Sequence, residues 1–130
     1  MKLKEFEKCW LEHFAAGVSE ENIKKFVVST GNYIWHIFSW KLIPEESYLV
    51  GEKERQAYDG EDKTGAIYVK PFGKKISKPL EKGYETAGCL DALTEVYVVG
   101  EGFSWTYIKT HENDLCGPYF CRKNEGLEDK

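Results

Sequence analysis

The sequence predicts an α+β fold in which N-terminal helices pack on an antiparallel sheet of about four to five strands. Apolar side chains recur at helical spacing in the first thirty residues, and short β-branched and aromatic runs follow in the second half. With 130 residues, of which 42% are hydrophobic and 15% aromatic, the chain can bury a substantial core. We therefore expect one domain over residues 1–130, in which the polar tail 124–130 is flexible.

Two helices are predicted at the N-terminus. Leu3, Phe6, Trp10 and Phe14 follow the three- and four-residue spacing of an amphipathic helix that ends near residue 17. Ser19 is a typical N-cap, and the glutamates after it suit the first turn of a second helix that ends by residue 31. The two helices would be joined by a tight turn and would cover the sheet.

The middle of the chain predicts shorter elements. The aromatic, β-branched segment 33–40 predicts a buried strand, or the irregular entry to one, that Pro44 closes. Residues 51–58 favour a short exposed helix that ends around residues 59–60. Residues 66–70 predict a strand that Pro71 interrupts.

The clearest strands lie in the second half. Segments 95–99 and 104–109 flank Gly100-Glu101-Gly102, whose glycines suit a hairpin loop. Segment 119–122 predicts a final strand. There is no internal repeat and no linker that would separate two cores.

Composition and charge exclude several classes of protein. A net charge of −4 with few arginines opposes a nucleic-acid binder. The lysines between residues 70 and 82 lie in a segment rich in proline and glycine, which favours a solvated loop over a phosphate site. No apolar run approaches the roughly 18–20 residues that span a bilayer, so we expect no membrane association.

We also expect a cytoplasmic protein, because the N-terminal residues alternate charged and apolar side chains and lack the apolar stretch of a signal peptide. In the reducing cytosol its cysteines would be thiols, and we interpret them as mostly buried small hydrophobic residues.

The strand over 104–109 carries the first candidate binding residues. Trp105, Tyr107 and Lys109 share one face because side chains alternate along a strand. They could form an exposed aromatic shelf that ends in a cation and recognises a partner. The alternative is that the two aromatic side chains pack in the core while the lysine stem reaches the sheet edge. Core packing is the preferred interpretation, because aromatic residues in central strands usually point inward.

His111 and Glu112 are the second pair of candidates. Both lie where that strand should end, and a histidine beside a carboxylate can perform acid–base chemistry. The two could cooperate only if the chain turns there, as Asn113 and Asp114 indicate. No motif of an activated nucleophile is present. A structural role, in which one side chain fixes the following loop, is therefore preferred over catalysis.

The same segment also contains residues that could bind a metal ion. His111, Cys116 and Cys121 are plausible zinc ligands, but the paired Cys-x-x-Cys motif of zinc knuckles is absent. There is also no glycine-rich phosphate loop. We predict no metal and no cofactor.

Two groups of motifs carry a resemblance to a known family. They are Trp35-His36-x-Phe38-Ser39 in the first half, and Trp105-Thr106-Tyr107-x-Lys109-Thr110-His111-Glu112 with Gly117-Pro118-Tyr119-Phe120 in the second. The chain resembles an uncharacterised family of small, single-domain cytoplasmic proteins of low-GC Gram-positive bacteria, roughly from the second helix to Phe120. The resemblance implies a bacterial source, a location and a domain size, and supplies no catalytic residues.

Three functional classes remain. The first is a non-catalytic binding protein that uses the 105–112 region and Tyr119 to contact a protein partner; an immunity protein that neutralises a toxin is one example, because an acidic surface steers toward basic enzymes. The second is a small enzyme with an acid–base site at His111 and Glu112. The third is a structural or regulatory subunit of a homo-oligomer. The binding protein is the preferred prediction.

Overall fold

An antiparallel sheet forms the middle layer of the molecule in a computed structural model that describes residues 1–31, 33–50, 52–112 and 117–123. In the described part the sheet has six strands, numbered here in chain order: β1 (Tyr48–Val50), β2 (Ile67–Val69), β3 (Lys78–Pro79), β4 (Val96–Val99), β5 (Trp105–Lys109) and β6 (Tyr119–Arg122). Their spatial order is β1-β6-β5-β4-β2-β3, so β5 and β4 are central and the short strands β1 and β3 form the edges.

Helices lie before, between and beside these strands. The described α-helices are α1 (Leu3–Phe14), α2 (Glu20–Phe26), α3 (His36–Ser39), α4 (Glu52–Gly60) and α5 (Ala87–Leu90). Short 3₁₀ helices occupy Val28–Thr30, Glu45–Ser47 and Glu101–Phe103. Within the described residues, no helix combines the length and the apolar character needed to cross a membrane.

The two predicted N-terminal helices are confirmed. α1 buries Phe6, Trp10 and Phe14, whose four-residue spacing places them on one stripe facing the sheet. Ser19 caps α2, since its hydroxyl accepts a hydrogen bond from the backbone N–H of Asn22 at 3.2 Å. Both helices could therefore be predicted from local features of the sequence, namely the spacing of apolar residues and the N-cap.

The predicted hairpin is also confirmed. β4 and β5 pair from Val96 with Lys109 to Val99 with Thr106. The Gly100 N–H donates to the Trp105 carbonyl at 2.9 Å and closes the hairpin. A Cβ on Gly100 would lie 2.2 Å from Trp105 Nε1, so the loop needs glycine at this position.

Both faces of the sheet are covered, which explains why every residue of β4 and β5 is buried. On one face Trp10 of α1 packs against the sheet and donates from Nε1 to Thr106 Oγ1 at 2.8 Å. On the other face Tyr58 of α4 and Leu90 of α5 pack with Trp105. The predicted α+β class is confirmed, and the sheet contains more strands than the four to five expected, because the short edge strands gave no clear alternation.

The strand predicted over residues 33–40 is wrong. This segment contains the helical turn α3. Ile34, Trp35, Ile37 and Phe38 are buried, which is helical spacing, while Trp40 is exposed. The aromatic residues of this segment are there because it is buried, and their presence did not indicate a strand.

The helix predicted as exposed over residues 51–58 has a buried side. α4 buries the side chains of Glu54 and Tyr58 and forms the layer over the second face of the sheet. The helix was predictable from its composition, but one buried tyrosine among charged residues gave little indication that it covers a core.

Candidate functional site

Trp105 and Tyr107 lie in the core. Their side chains are 4% and 0% exposed, on the sheet face that α4 covers. The Trp105 ring stacks on Phe120 with centroids 6.0 Å apart, and Tyr107 stacks on Tyr58 at 4.5 Å. Of the two interpretations of this face, core packing is therefore the one that the structure has, and the exposed shelf is not formed.

Lys109 and Tyr119 are also buried. Lys109 Nζ lies 3.3 Å from the carbonyl oxygen of Thr94, to which it donates. The Tyr119 ring stacks on Phe38 of α3 at 4.6 Å. These two candidates pack inside the fold.

His111 and Glu112 are the two predicted site residues that reach the surface. Their side chains are 26% and 45% exposed. His111 Nε2 lies 3.4 Å from Glu112 Oε2, so the chain turns after β5 in the way that cooperation between the two required. Residues 113–116, in which the turn residues Asn113 and Asp114 were expected, lie outside the described residues.

A buried carboxylate, Glu95, holds His111 in place, and sequence reasoning did not identify it. Glu95 is 2% exposed. Its Oε1 accepts hydrogen bonds from His111 Nδ1 at 2.7 Å and from the His111 backbone N–H at 3.0 Å. We assign a proton to Nδ1, because an ionised carboxylate only accepts hydrogen bonds.

The second carboxylate oxygen is bonded as well. Glu95 Oε2 accepts from the Tyr97 hydroxyl at 2.5 Å and from Trp35 Nε1 at 3.2 Å. Burial, followed by the nearby charge of Glu95, raises the pKa of Tyr97 well above its ordinary value, which keeps the phenol protonated as a donor. Four donors thus offset the desolvation of one carboxylate.

The hairpin register explains how these groups meet. Val96 pairs with Lys109, so Glu95 and His111 both lie just beyond the open end of the β4–β5 hairpin. A glutamate immediately before the apolar run of β4 was the one signal in the sequence for this site. The signal becomes useful only when the register of the hairpin is known, since that register places residue 95 opposite the end of β5.

Aromatic rings surround the imidazole of His111. The centroids of Tyr33, Phe72 and Trp35 lie 5.0, 5.3 and 5.8 Å from that of His111. Phe72, in the turn after β2, is 52% exposed although it belongs to this group. The surface therefore presents an ordered histidine flanked by an exposed aromatic ring.

A second histidine stands beside this group. The His36 ring packs edge-on against Trp35 at 4.5 Å. Burial lowers the pKa of His36, while a hydrogen bond with the backbone of Phe26 and the charges of Glu112 and Glu95 act in the opposite direction. His36 is consequently a weaker base than an exposed histidine.

The metal hypothesis concerned His111, Cys116 and Cys121. Cys116 lies outside the described residues. Cys121 is buried in β6, and burial raises the pKa of its thiol to about 12. In the parts of the chain that the structure describes, no group of three or more histidine, cysteine, aspartate or glutamate residues could hold a metal ion. The other described cysteines are also thiols, and Cys9 is half-buried while Cys89 is exposed. The expectation that the cysteines are mostly buried is therefore met only by Cys121 among the described ones.

Comparison with known proteins places the chain in a family. It belongs to the family described as Domain of unknown function (DUF4275), whose sequence model matches residues 3–120. We found no similar curated protein and no similar solved structure.

Proposed function

We propose that this member of the DUF4275 family is a binding protein that recognises a protein partner through Tyr33, Phe72, His111 and Glu112, called here the His111 face. The observation that carries the proposal is the fully bonded Glu95 carboxylate, which fixes the backbone and the ring of His111 from beneath. A surface histidine held by a buried carboxylate is already ordered before a partner arrives. Binding then loses little side-chain entropy.

The composition of the His111 face supports this role. Phe72 offers an aromatic ring in a position that water reaches, and Glu112 offers a carboxylate beside it. Aromatic side chains are enriched in protein interfaces and among the residues that contribute most to the free energy of binding. Trp105 and Tyr107 contribute indirectly in this proposal, because they stabilise the hairpin that carries Glu95 and His111.

A toxin enzyme with a basic surface is one partner that fits. The chain carries a net charge of −4, and Glu112 extends from the His111 face. Complementary charge would accelerate encounter with such a partner and would make association sensitive to salt. With such a partner, the protein would act as an immunity protein that neutralises the toxin.

The test compares two exposed double variants. Phe72→Ala/Glu112→Ala alters the His111 face without touching the bonds of Glu95. Val50→Ala/Glu52→Ala is the matched control, because it removes one exposed apolar side chain and one exposed acid at or next to the edge strand β1. Tagged wild-type and variant proteins would be used to capture partners from a lysate of the source organism, followed by mass spectrometry.

We expect one stoichiometric partner with the wild type and the control, and its loss with Phe72→Ala/Glu112→Ala. Circular dichroism must show that all three baits are folded. A partner retained by both variants would contradict the His111 face as its binding site. Capture of the same chain, together with a dimer in light scattering, would instead support a homo-oligomer.

A small enzyme is the second candidate function, favoured by the distance of 2.7 Å between His111 Nδ1 and Glu95 Oε1. A carboxylate in that position orients a histidine, so that Nε2 can act as a general base. Nε2 is directed at Glu112 in the structure, and among the described residues no hydroxyl or thiol is hydrogen-bonded to it. Hydrolysis of p-nitrophenyl esters that is abolished in His111→Gln and kept in Glu112→Gln would favour this function over binding.

A further inference from the structure

A groove lies beside the His111 face, between the start of α1, residue 31 and the segment 71–76. Its volume is about 720 Å³, which falls within the roughly 300–1,000 Å³ of small-molecule sites. Tyr33 and Phe72 separate the groove from His111 and line it on that side. The two surfaces therefore share these rings but differ in the groups beyond them.

The groove has an apolar interior. Tyr97 and Leu3 line it from below, and Tyr33, Phe72 and Ile76 line its sides. Phe72 and Ile76 are both more than half exposed, at 52% and 55%. Two large apolar side chains facing an open concavity are unusual on a surface where most such groups are covered.

Three lysines surround this apolar interior: Lys2, Lys4 and Lys75. All three are exposed, and in the described part of the chain none forms an ion pair within 4.0 Å. Glu7 is the acid that lines the groove. Burial raises its pKa to about 7, although the charges of Lys4 and Lys75 act against the shift. The groove is thus positive on a chain whose net charge is −4.

The walls of the groove are held by backbone bonds. The Leu3 N–H donates to the Lys75 carbonyl, and the Ser77 N–H donates to the Met1 carbonyl, both at 2.8 Å. Gly31 adopts φ +107°, and a Cβ there would lie 2.7 Å from the ring of Tyr33. The concavity is therefore formed by segments that the fold holds in place.

We propose that this groove binds a small apolar organic anion, with its ring or chain against Phe72 and Tyr33 and its carboxylate, sulfonate or phosphate group beside Lys4 and Lys75. Apolar contact supplies affinity, and the lysines select for negative charge. At a pH below its pKa of about 7, the Glu7 carboxyl is protonated and can donate a hydrogen bond to the same anionic group. This inference rests on the groove and does not depend on the proposed protein partner.

The probe for the test is 1-anilinonaphthalene-8-sulfonate, an aromatic sulfonate whose fluorescence rises in apolar sites. N-phenyl-1-naphthylamine, which lacks the sulfonate, is the uncharged comparison. Both would be titrated into the folded wild-type protein and into three variants. Lys4→Glu/Lys75→Glu reverses the charge of the groove, Phe72→Ala removes its exposed ring, and Lys53→Glu/Lys82→Glu reverses two exposed lysines elsewhere.

We expect saturable binding of one sulfonate per chain, weakened about tenfold or more by Lys4→Glu/Lys75→Glu and by Phe72→Ala. The control Lys53→Glu/Lys82→Glu should bind like the wild type, and the uncharged naphthylamine should bind more weakly than the sulfonate. Circular dichroism would verify folding, since compact, partly folded chains also bind such dyes.

Three outcomes would overturn the proposal. They are no saturable binding of the sulfonate by the wild type, equal weakening in the groove and control variants, and equal binding of the sulfonate and the uncharged naphthylamine. None of them bears on the capture experiment with Phe72→Ala/Glu112→Ala and its readout of a protein partner. If Lys4→Glu/Lys75→Glu still captures that protein partner, the groove is a ligand site separate from the protein-binding surface.

Discussion

His111 Nδ1 lies 2.7 Å from Glu95 Oε1, although 16 positions of the chain separate the two residues. The β4–β5 hairpin brings them together, and the carboxylate is buried while the imidazole reaches the surface. A pair of this kind links the stability of the fold to the position of one exposed side chain. The first two predictions follow from that link.

Glu95→Ala should lower the free energy of unfolding by about 3 to 5 kcal/mol, because it leaves the buried donors of Trp35, Tyr97 and His111 without their acceptor. Urea denaturation followed by circular dichroism measures this loss. Glu95→Gln, which preserves volume and one acceptor, should be less damaging and keeps the test possible if the alanine variant does not fold. A change below about 0.5 kcal/mol in Glu95→Ala would show that the carboxylate contributes little to stability.

His111→Ala should leave the protein folded but lower the free energy of unfolding by about 2 kcal/mol. The variant removes one charge-assisted hydrogen bond to Glu95 and retains the bond from the backbone N–H. Glu112→Ala is the control, since its side chain is largely exposed, and should change stability by less than about 0.5 kcal/mol. Equal stability of the two variants in urea would remove His111 from the account of how Glu95 is stabilised.

Trp105→Ala should destabilise the protein by about 3 to 5 kcal/mol, because it leaves a cavity between β5, β6 and α4. The expected readout is a lower midpoint of thermal unfolding by circular dichroism. Trp40→Ala offers a comparison, since that indole is 51% exposed and should be much less costly to remove. A wild-type midpoint in Trp105→Ala would contradict core packing of this face.

Glu54 should make stability depend on pH. Burial raises its pKa from 4.5 to about 7, and neither carboxyl oxygen has a hydrogen-bond partner among the described residues. The folded state thus binds a proton that the unfolded chain has released, so this contribution to stability is complete below pH 4.5 and is lost as the pH rises to about 7. The loss amounts to about 3 kcal/mol for this group.

Glu54→Gln should remove that dependence. The variant should match the wild type in the free energy of unfolding near pH 4.5 and exceed it at pH 8. Glu7, whose pKa is also raised to about 7, acts in the same direction, so the comparison is between Glu54→Gln and the wild type at each pH. An equal difference between the two proteins at both pH values would show that Glu54 titrates normally in the fold.

Much of the fold could be predicted because its signals are local. The four-residue spacing of Phe6, Trp10 and Phe14 and the cap at Ser19 specify the first two helices without reference to the rest of the chain. The hairpin was likewise indicated by Gly100 between two runs with β-branched residues. The prediction of a strand over residues 33–40 failed because aromatic residues are suited both to a strand and to a buried helical turn.

The candidate site was harder to predict, because alternation along a strand does not say which face is covered. Trp105 and Tyr107 share one face of β5, and Thr106 and Ile108 share the other, yet helices cover both. The position of Glu95 immediately before the apolar run of β4 was a weak signal by itself, because the importance of this residue comes from a neighbour across the hairpin. His111 and Glu112 were found because they follow a recognisable strand at a point where the chain must turn.

Glu95 holds the two strands together at the open end of the β4–β5 hairpin, and this also affects how the molecule unfolds locally. The ends of a hairpin are usually where strands fray and where amide hydrogens exchange first. Here fraying would separate a buried carboxylate from the backbone and ring N–H donors of His111, so the backbone N–H of His111 should exchange with solvent almost as slowly as those at the centre of β5. The histidine at the centre of the proposed binding surface would then rest on one of the last parts of the protein to unfold.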